Sequence, residues 1–453
     1  MSKFTRFSAR ASLMVVGVRM RAMGIWQAVE QKVQIKQKVL RYRPIDKLLD
    51  GLIMILAGGR GITEVNTRVR PDAMLQAAFG RDGCADQSTV SETLNACDEA
   101  NVSQLRAALQ AILREHSRAC DHDFGQNWQV LDVDMSGLPA GVQGEGVTKG
   151  YFALTPKRRG RQLGRVIATW YDEIVLDRLY AGNRQLHASL HDLVLGSEQV
   201  LHLQRAERQR TLLRIDGGGG ETEHINWALQ RGYQILVKAQ GWRRIQNMAR
   251  QVTTWTTDPH DGGRQVAWAA CPHPYHKPTR QLLVRTRQRN GTWTYSLLVS
   301  NAPDALLSVL GHVPIRHTTR EADRMLALLY AYDRRGGAAE TQFRGDKQGL
   351  FLAKRNKRSF AAQEMLVLLA QLAHNLLIWT RNALPDAQPA LQHLGILRLV
   401  RDVLTIPGKI ELDAQGYLLA ITLNRHAPFA AALVQAFSVP LSVHGLSLNL
   451  GEI

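Results

Sequence analysis

The chain has few of the residues that would frame it with disulfides or zinc. Its four cysteines stand at 84, 97, 120 and 271, and no pair has the spacing of a metal finger. A disulfide frame or a structural zinc is therefore not expected. Cys271, His273 and His276 in CPHPYH have no second cluster to complete them and read as a Pro-rich loop. Acidic residues are also scarce: 39 Asp and Glu face 57 Lys and Arg, for a formal charge of +18. That imbalance favours polyanions, nucleic acid first, because phosphate contacts supply affinity and fast encounter. Long apolar runs are few. LMVVGV near the N-terminus is short and soon broken by Arg19 and Arg21, unlike a signal peptide. MLVLLAQLAHNLLIW (365–379) contains Gln371, His374 and Asn375 and is shorter than a membrane span. It reads as a buried core helix, so a cytoplasmic, nucleoid-associated protein without a membrane partner is expected. No repeats or low-complexity tracts occur. What remains is an ordinary globular composition, 45% apolar and 21% charged, long enough for more than one domain.

Residues 1–120 read as a helical region. PIDKLLDGLIMILAGG (44–59) opens on Pro44 and closes on Gly58 and Gly59, as helices do. DQSTVSETLNAC (86–97) and NVSQLRAALQAILREHS (101–117) follow. These short helices, one of them polar and Ser/Thr-rich, are expected either to form a helix-turn-helix-like DNA reader or to cap the core. From 121 to 238 the period changes. QVLDVDM (129–135) alternates with period two, so Val130, Asp132 and Asp134 share one face. Residues 150–172 read as strand, basic turn and strand, and 174–182 as a third strand. A helix at 188–206 follows. TLLRID (211–216), a helix at 221–232 and YQILVK (233–238) form a βαβ unit, which implies parallel strands. Residues 239–317 read as a mostly β insertion. Helical pattern returns within 318–385, at 319–330, 338–349 and 360–382. After a DAQPA linker (386–390), residues 386–453 read as a small α/β region with a strand pair around 411–423 and a helix at 427–437. The order predicts an α/β fold with an RNase H-like mixed sheet, flanking helices, a β insertion and an N-terminal helical domain.

Three acids stand at informative places. Asp134 ends VLDVD and Asp216 ends TLLRID, where an open α/β sheet presents ligands. Glu340 lies on a later basic helix, with Arg344 and Lys347 on the same face within two turns. Three converging carboxylates repel one another unless a cation joins them. Oxygen-only ligands suit Mg²⁺ or Mn²⁺, and two such ions serve in-line phosphoryl transfer. Asp132 shares the face of Asp134 and is held as a reserve candidate.

On these residues the chain resembles the DDE transposases of bacterial insertion sequences, in the group with a Tyr–Arg–Glu–Lys signature. Asp134-Met135-Ser136 matches the first-strand motif, and Arg214-Ile215-Asp216-Gly217 the fourth-strand motif. Tyr332-x2-Arg335 and Glu340-x6-Lys347 match the signature helix. In two respects the chain departs from the pattern. A glycine replaces the aromatic after Gly217. The gap from Arg335 to Glu340 is one residue longer, which turns Arg335 by about 100° if both lie on one α-helix, unless Arg335 sits in a GG turn that absorbs the slip.

The resemblance implies that Asp134, Asp216 and Glu340 hold two Mg²⁺ or Mn²⁺ ions. It implies that Tyr332, Arg335, Arg344 and Lys347 hold DNA phosphates. Its expected activity is cleavage at terminal inverted repeats of double-stranded DNA, passage through a hairpin, and strand transfer into target DNA by a homodimeric synaptic complex. The alternatives are a catalytically inactive DNA-binding descendant and a metal-dependent nuclease without strand transfer. Lys157, Arg158, Arg159 and Arg161, with Lys149 and Arg165, form an acid-free basic stretch read as a backbone-tracking DNA contact, and KRNKR (354–358) is read the same way. Trp242, Trp255, Trp268 and Trp293 are expected to pack the insertion, or one of them to stack on a flipped base.

Overall fold

The computed structural model describes residues 4–38, 41–150, 152, 158–315, 320–383 and 389–453. In chain order the strands are β1 (Phe4–Ser8), β2 (Gln129–Pro139), β3 (Thr148–Lys149), β4 (Arg159–Ala168), β5 (Glu173–Ala181), β6 (Thr211–Ile215), β7 (Gln234–Ala239), β8 (Thr256–Asp258), β9 (Asp261–Trp268), β10 (Arg280–Arg287), β11 (Trp293–Ser300), β12 (Gly408–Leu412), β13 (Leu418–Asn424) and β14 (Ser447–Gly451). The helices are α1 (Ala11–Ala22), α2 (Ile25–Lys32), α3 (Pro44–Leu56), α4 (Ala73–Ala78), α5 (Gln87–Asn95), α6 (Glu99–His116), α7 (Leu186–Leu201), α8 (Arg205–Gln209), α9 (Thr222–Arg231), α10 (Trp242–Arg250), α11 (Asp304–Gly311), α12 (Glu321–Arg335), α13 (Thr341–Gln348), α14 (Phe360–Asn382), α15 (Pro389–Gln392), α16 (Ile396–Arg398) and α17 (Ala430–Ser442).

The fold is mixed α/β. Ten strands form one sheet in the order β3-β4-β2-β6-β7-β11-β10-β9-β8, with β5 paired to β4. β2, β6 and β7 run parallel, joined through helices; β4 and β5 run antiparallel beside them. Alternation sends Leu131, Val133, Leu213, Ile215, Ile235 and Val237 into the main core, which α7, α9 and α14 share. Val130, Leu212, Leu236 and Leu298 point the other way, onto the buried side of α12. Each such aliphatic side chain, removed from water, contributes about 1.5–3 kcal/mol. The face of Val130 also carries Asp132 and Asp134, so α12 lies over the acids.

The strands of the expected β insertion are not separate from the parent sheet. β11 pairs with β7 from Leu297↔Ala239 to Ser300↔Leu236, so these strands extend the central sheet. α10 and α11 within the same segment were not anticipated. The N-terminal run around LMVVGV is α1, buried from Ala11 to Gly17. β1 pairs with β12, so residues 4–8 edge the C-terminal sheet β1-β12-β13-β14. α14 has 23 residues, long enough and apolar enough to cross a membrane, but 94% of its most apolar window is buried in protein. It packs against β5, α6 and α3 as a core helix. Most of the strand expected near 150–156 and most of the linker near 386–390 lie outside the described residues.

The extra residue between Arg335 and Glu340 has a structural answer. Helix runs on from α12 through a π-turn, Gly336–Glu340, into α13. Gly336 and Glu340 both keep right-handed helical angles. A π-turn takes one more residue than an α-turn, so it absorbs the slip without a loop. The GG pair is thus part of the helix.

Candidate active site

Strand register brings the two aspartates together. In the parallel pair β2 and β6, Asp132 faces Arg214 and Val133 faces Ile215. Asp134 and Asp216 each come one residue later, where the β2–β6 ladder ends and strands stand about 4.8 Å apart. Asp216 follows the last residue of β6, but Asp134 lies mid-strand and not at the strand end expected, because β2 runs on beside β4 to Pro139. Tyr332 and Arg335, three residues apart on α12, reach down to them. Tyr332 Oη donates to Asp216 Oδ1 at 2.9 Å. Arg335 Nη2 lies 3.3 Å from Asp134 Oδ2 and donates to the Val133 carbonyl at 3.0 Å. Arg335 is buried and its Nε has no partner.

The surroundings divide the two acids. Burial pushes the Asp134 carboxyl up, and nearby Asp216 and Asp132 add to this against the pull of Arg335. Burial also works against ionisation of Asp216. There Arg335, the Gly217 N–H, Tyr332 and Lys238 outweigh it and hold the carboxyl below its usual range. Burial and the neighbouring Asp216 push the Tyr332 phenol up, keeping it a donor.

A cleft of about 700 Å³ opens over these groups, and Glu340, Arg344, Lys347 and Lys238 line it as well. Glu340 stands exposed on its rim. Among the described residues, no three His, Cys, Asp or Glu side chains are close enough to hold a metal ion. The structure thus puts all three expected acids on one cleft, brings Asp134 and Asp216 into mutual influence, and leaves Glu340 apart. Lys347 Nζ donates to Ser136 Oγ at 2.5 Å and to the Gly137 carbonyl at 2.9 Å. Burial, then Arg165 and Arg158, lower its pKa to about 8. Arg344 is exposed at the rim. An anionic ligand of the cleft is therefore expected to bind less tightly at pH 9 than at pH 7, as Lys347 loses its charge. Filter binding of the wild type and Lys347→Met at both pH values checks this: the variant's affinity changes less, and an equal change in both would refute the assignment.

Lys238 was missed by sequence reasoning. Its signal was its place, the penultimate residue of β7 beside the strand that ends at Asp216. The glycines after Asp216 serve the same junction. A Cβ on Gly220 would stand 1.9 Å from the Lys238 carbonyl oxygen, and the Gln240 N–H donates to the Gly220 carbonyl at 2.8 Å. The place of the missing aromatic is Gly218, where a Cβ would stand 3.3 Å from Leu186 Cβ. Gly220→Ala is expected to destabilise the fold by about 1–3 kcal/mol, read from the urea unfolding midpoint.

Several expected contacts are corrected. Asp132 is fully buried: Arg214 grips it through Nε–Oδ1 at 2.6 Å and Nη2–Oδ2 at 2.7 Å, and Thr169 Oγ1 donates to it at 2.9 Å. With both oxygens engaged it is a core ion pair and not a ligand. Arg161 is buried too, and its guanidinium donates to the carbonyls of Glu145, Lys357 and Arg358. Arg165 is buried between Asp177 and Asp346. Neither arginine reaches solvent, so neither tracks a DNA backbone here. Arg158 and Arg159 are exposed, whereas Lys157 lies outside the described residues. In KRNKR, Arg355 is buried against the Gly59 carbonyl, while Lys354 and Arg358 are exposed. Of the four tryptophans, Trp255 and Trp293 flank the Arg285 guanidinium at 4.3 and 4.5 Å, and Trp268 Nε1 donates to Glu321. Trp242 alone among them is largely exposed, at 64%.

No protein-family model and no curated protein sequence matches the chain. Among solved structures, it is similar to a piggyBac transposase in a synaptic complex with hairpin DNA. The TM-score is 0.46 and the identity 12%, over 87% of this chain and 79% of that one.

Proposed function

We propose that this protein is a DNA transposase of the DDE type, with Asp134, Asp216 and Glu340 as its acidic residues on an RNase H-like sheet. It would nick beside terminal inverted repeats, form a hairpin, and join the freed 3′-ends to target DNA as a homodimer on two DNA ends. The observation that carries this is the register of β2 and β6, which sets Asp134 and Asp216 side by side under Tyr332 and Arg335 in a cleft that Lys238, Arg344 and Lys347 also line. The sheet order β5-β4-β2-β6-β7 supports the same assignment.

The donor set is carboxylate oxygen, which fits Mg²⁺ or Mn²⁺. Asp134 would hold the metal from the middle of β2 and Asp216 from the end of β6, and Glu340 would turn in from the rim. When bound there, divalent ions polarise a phosphate and activate an attacking water or 3′-hydroxyl. The chain's own groups do the rest. Lys347, Arg344, Lys238 and Arg158 would draw the phosphates into the cleft, arginine by paired contacts and lysine as a point charge. Tyr332 orients Asp216. Arg335 balances the charge of the acids before any ligand arrives.

Two observations favour a second reading, a DNA-binding protein without cleavage. Arg335 stands against Asp134, and Glu340 is not gathered with the aspartates. The deciding experiment incubates labelled DNA bearing the element's own ends with Mg²⁺ or Mn²⁺, comparing wild type with Glu340→Gln. Metal-dependent nicks or hairpins are expected from the wild type and not from the variant. Folded protein that binds the ends but never cuts them would overturn the enzyme and leave the binding protein.

A further inference from the structure

A second charged surface, away from the acidic cleft, is built around α5. This helix turns Val90, Thr93 and Leu94 inward and packs on α3 and α14. It leaves Ser88, Glu92 and Asn95 exposed, at i, i+4 and i+7 on one face. Two basic segments frame that face. On one side residues 33–38 run as an extended strap, neither helix nor strand. Gln37 Oε1 accepts from Thr93 Oγ1 at 2.6 Å, and the Gln34 carbonyl accepts from Asn101 Nδ2 at 2.7 Å, pinning the strap to α5 and α6. Val33 is buried and Ile35 and Gln37 are half-buried, so the alternation of extended chain sends Lys36 and Lys38 to solvent, with Lys32 beyond them. On the other side Lys357 Nζ donates to the Ser91 carbonyl at 3.0 Å, which holds exposed Lys354 and Arg358 beside α5. Ser91 and Thr93 lie about 160° apart around the helix, and the exposed face lies between them. Among the described residues no carboxylate pairs with the side chains of Lys32, Lys36, Lys38, Lys354 or Arg358.

We propose that α5 is a groove-reading helix for duplex DNA, with the strap and the loop at 354–358 holding the backbones on its two sides. A major groove about 12 Å wide admits one helix. Asn95 offers the paired donor and acceptor that fit an adenine edge, and Glu92 an acceptor for a cytosine amino group. This rests on DNA being the partner, as in the proposed function, but it uses none of the residues of the cleft.

The test uses the full chain without metal and a randomised pool of DNA duplexes, followed by salt-dependent anisotropy on the selected sequence. Lys36→Ala with Lys38→Ala is expected to flatten the log affinity against log salt slope by about 1.8, at about 0.9 for each lost phosphate contact. Lys354→Ala with Arg358→Ala should do the same. Asn95→Ala is expected to keep the slope and relax discrimination at one base pair by about 5- to 150-fold. Thermal melts confirm that these exposed substitutions leave the fold intact. An unchanged slope in both double variants, an unchanged selected sequence in Asn95→Ala, or tighter binding of duplex RNA would overturn the proposal. Cleavage that persists alongside unchanged slopes would sink this site alone. Intact sequence-specific binding without cleavage would sink the enzyme alone.

Discussion

Arg165→Met is expected to cost the fold about 3–5 kcal/mol, the usual loss when one partner of a buried ion pair is removed. Arg165 is wholly buried and donates to both oxygens of Asp177 at 2.7 Å. Its third contact is Asp346, whose other oxygen hydrogen-bonds His374 Nδ1 at 2.8 Å. The guanidinium also lies 4.7 Å from the Phe343 ring centroid, under α13. Methionine fills much of the volume but leaves two carboxylates facing each other in the core. Arg165→Lys should rescue only part of the loss, because one ammonium cannot replace a planar fork between two acids. Urea unfolding with an unchanged slope measures the effect. A loss below about 1 kcal/mol would show that Asp177 and Asp346 do not depend on this partner.

On the proposed function, Asp134→Asn and Asp216→Asn are each expected to reduce metal-dependent DNA cutting by more than about 100-fold, since even outer partners of metal ligands cost 10- to 100-fold. Both side chains end on an open cleft, so the variants should still unfold cooperatively. Asp132→Asn makes the contrast. Its carboxylate is locked to Arg214, and Arg214 Nη1 in turn donates to the Ala331 carbonyl of α12 at 2.9 Å. That substitution should appear first as lost stability, by about 3–5 kcal/mol. Cutting assays and melts run on the same three preparations separate the roles. If Asp132→Asn melts like the wild type yet cannot cut, the assignment of ligand and core partner is reversed.

Much of the frame was legible because its signals are local. Period two in QVLDVDM, the βαβ pattern through Asp216 and the helical signature from Tyr332 onward each lie within a few turns of chain. They placed β6, β7 and the first part of β2 where the structure has them, but β2 runs past Met135 to Pro139 and helix fills the gap expected at 331–337. What was not legible depends on partners far away in sequence. An arginine in a basic run reads as a surface cation whether or not acids await it. Asp346 and Asp177 take Arg165 inside, and the carbonyls of Lys357 and Arg358 take Arg161. The choice between Asp132 and Asp134 turned on the cross-strand neighbour of each, which only the register reveals. Continuity of β11 with β7 was hidden for the same reason. Strands of an inserted module and strands of a parent sheet have the same alternation.

That continuity has a mechanical consequence. The strand that carries Lys238 into the cleft is bonded to β6 on one edge and to β11 on the other. β11 in turn is backed by β10 and β9. Residues 256–300 therefore cannot swing as a flap on a hinge. A load applied at the far edge of β9 passes through successive hydrogen-bonded ladders to the floor of the cleft, as through a stiff plate. Any opening of the site must come from the helical side, where α12 and its π-turn lie over the acids.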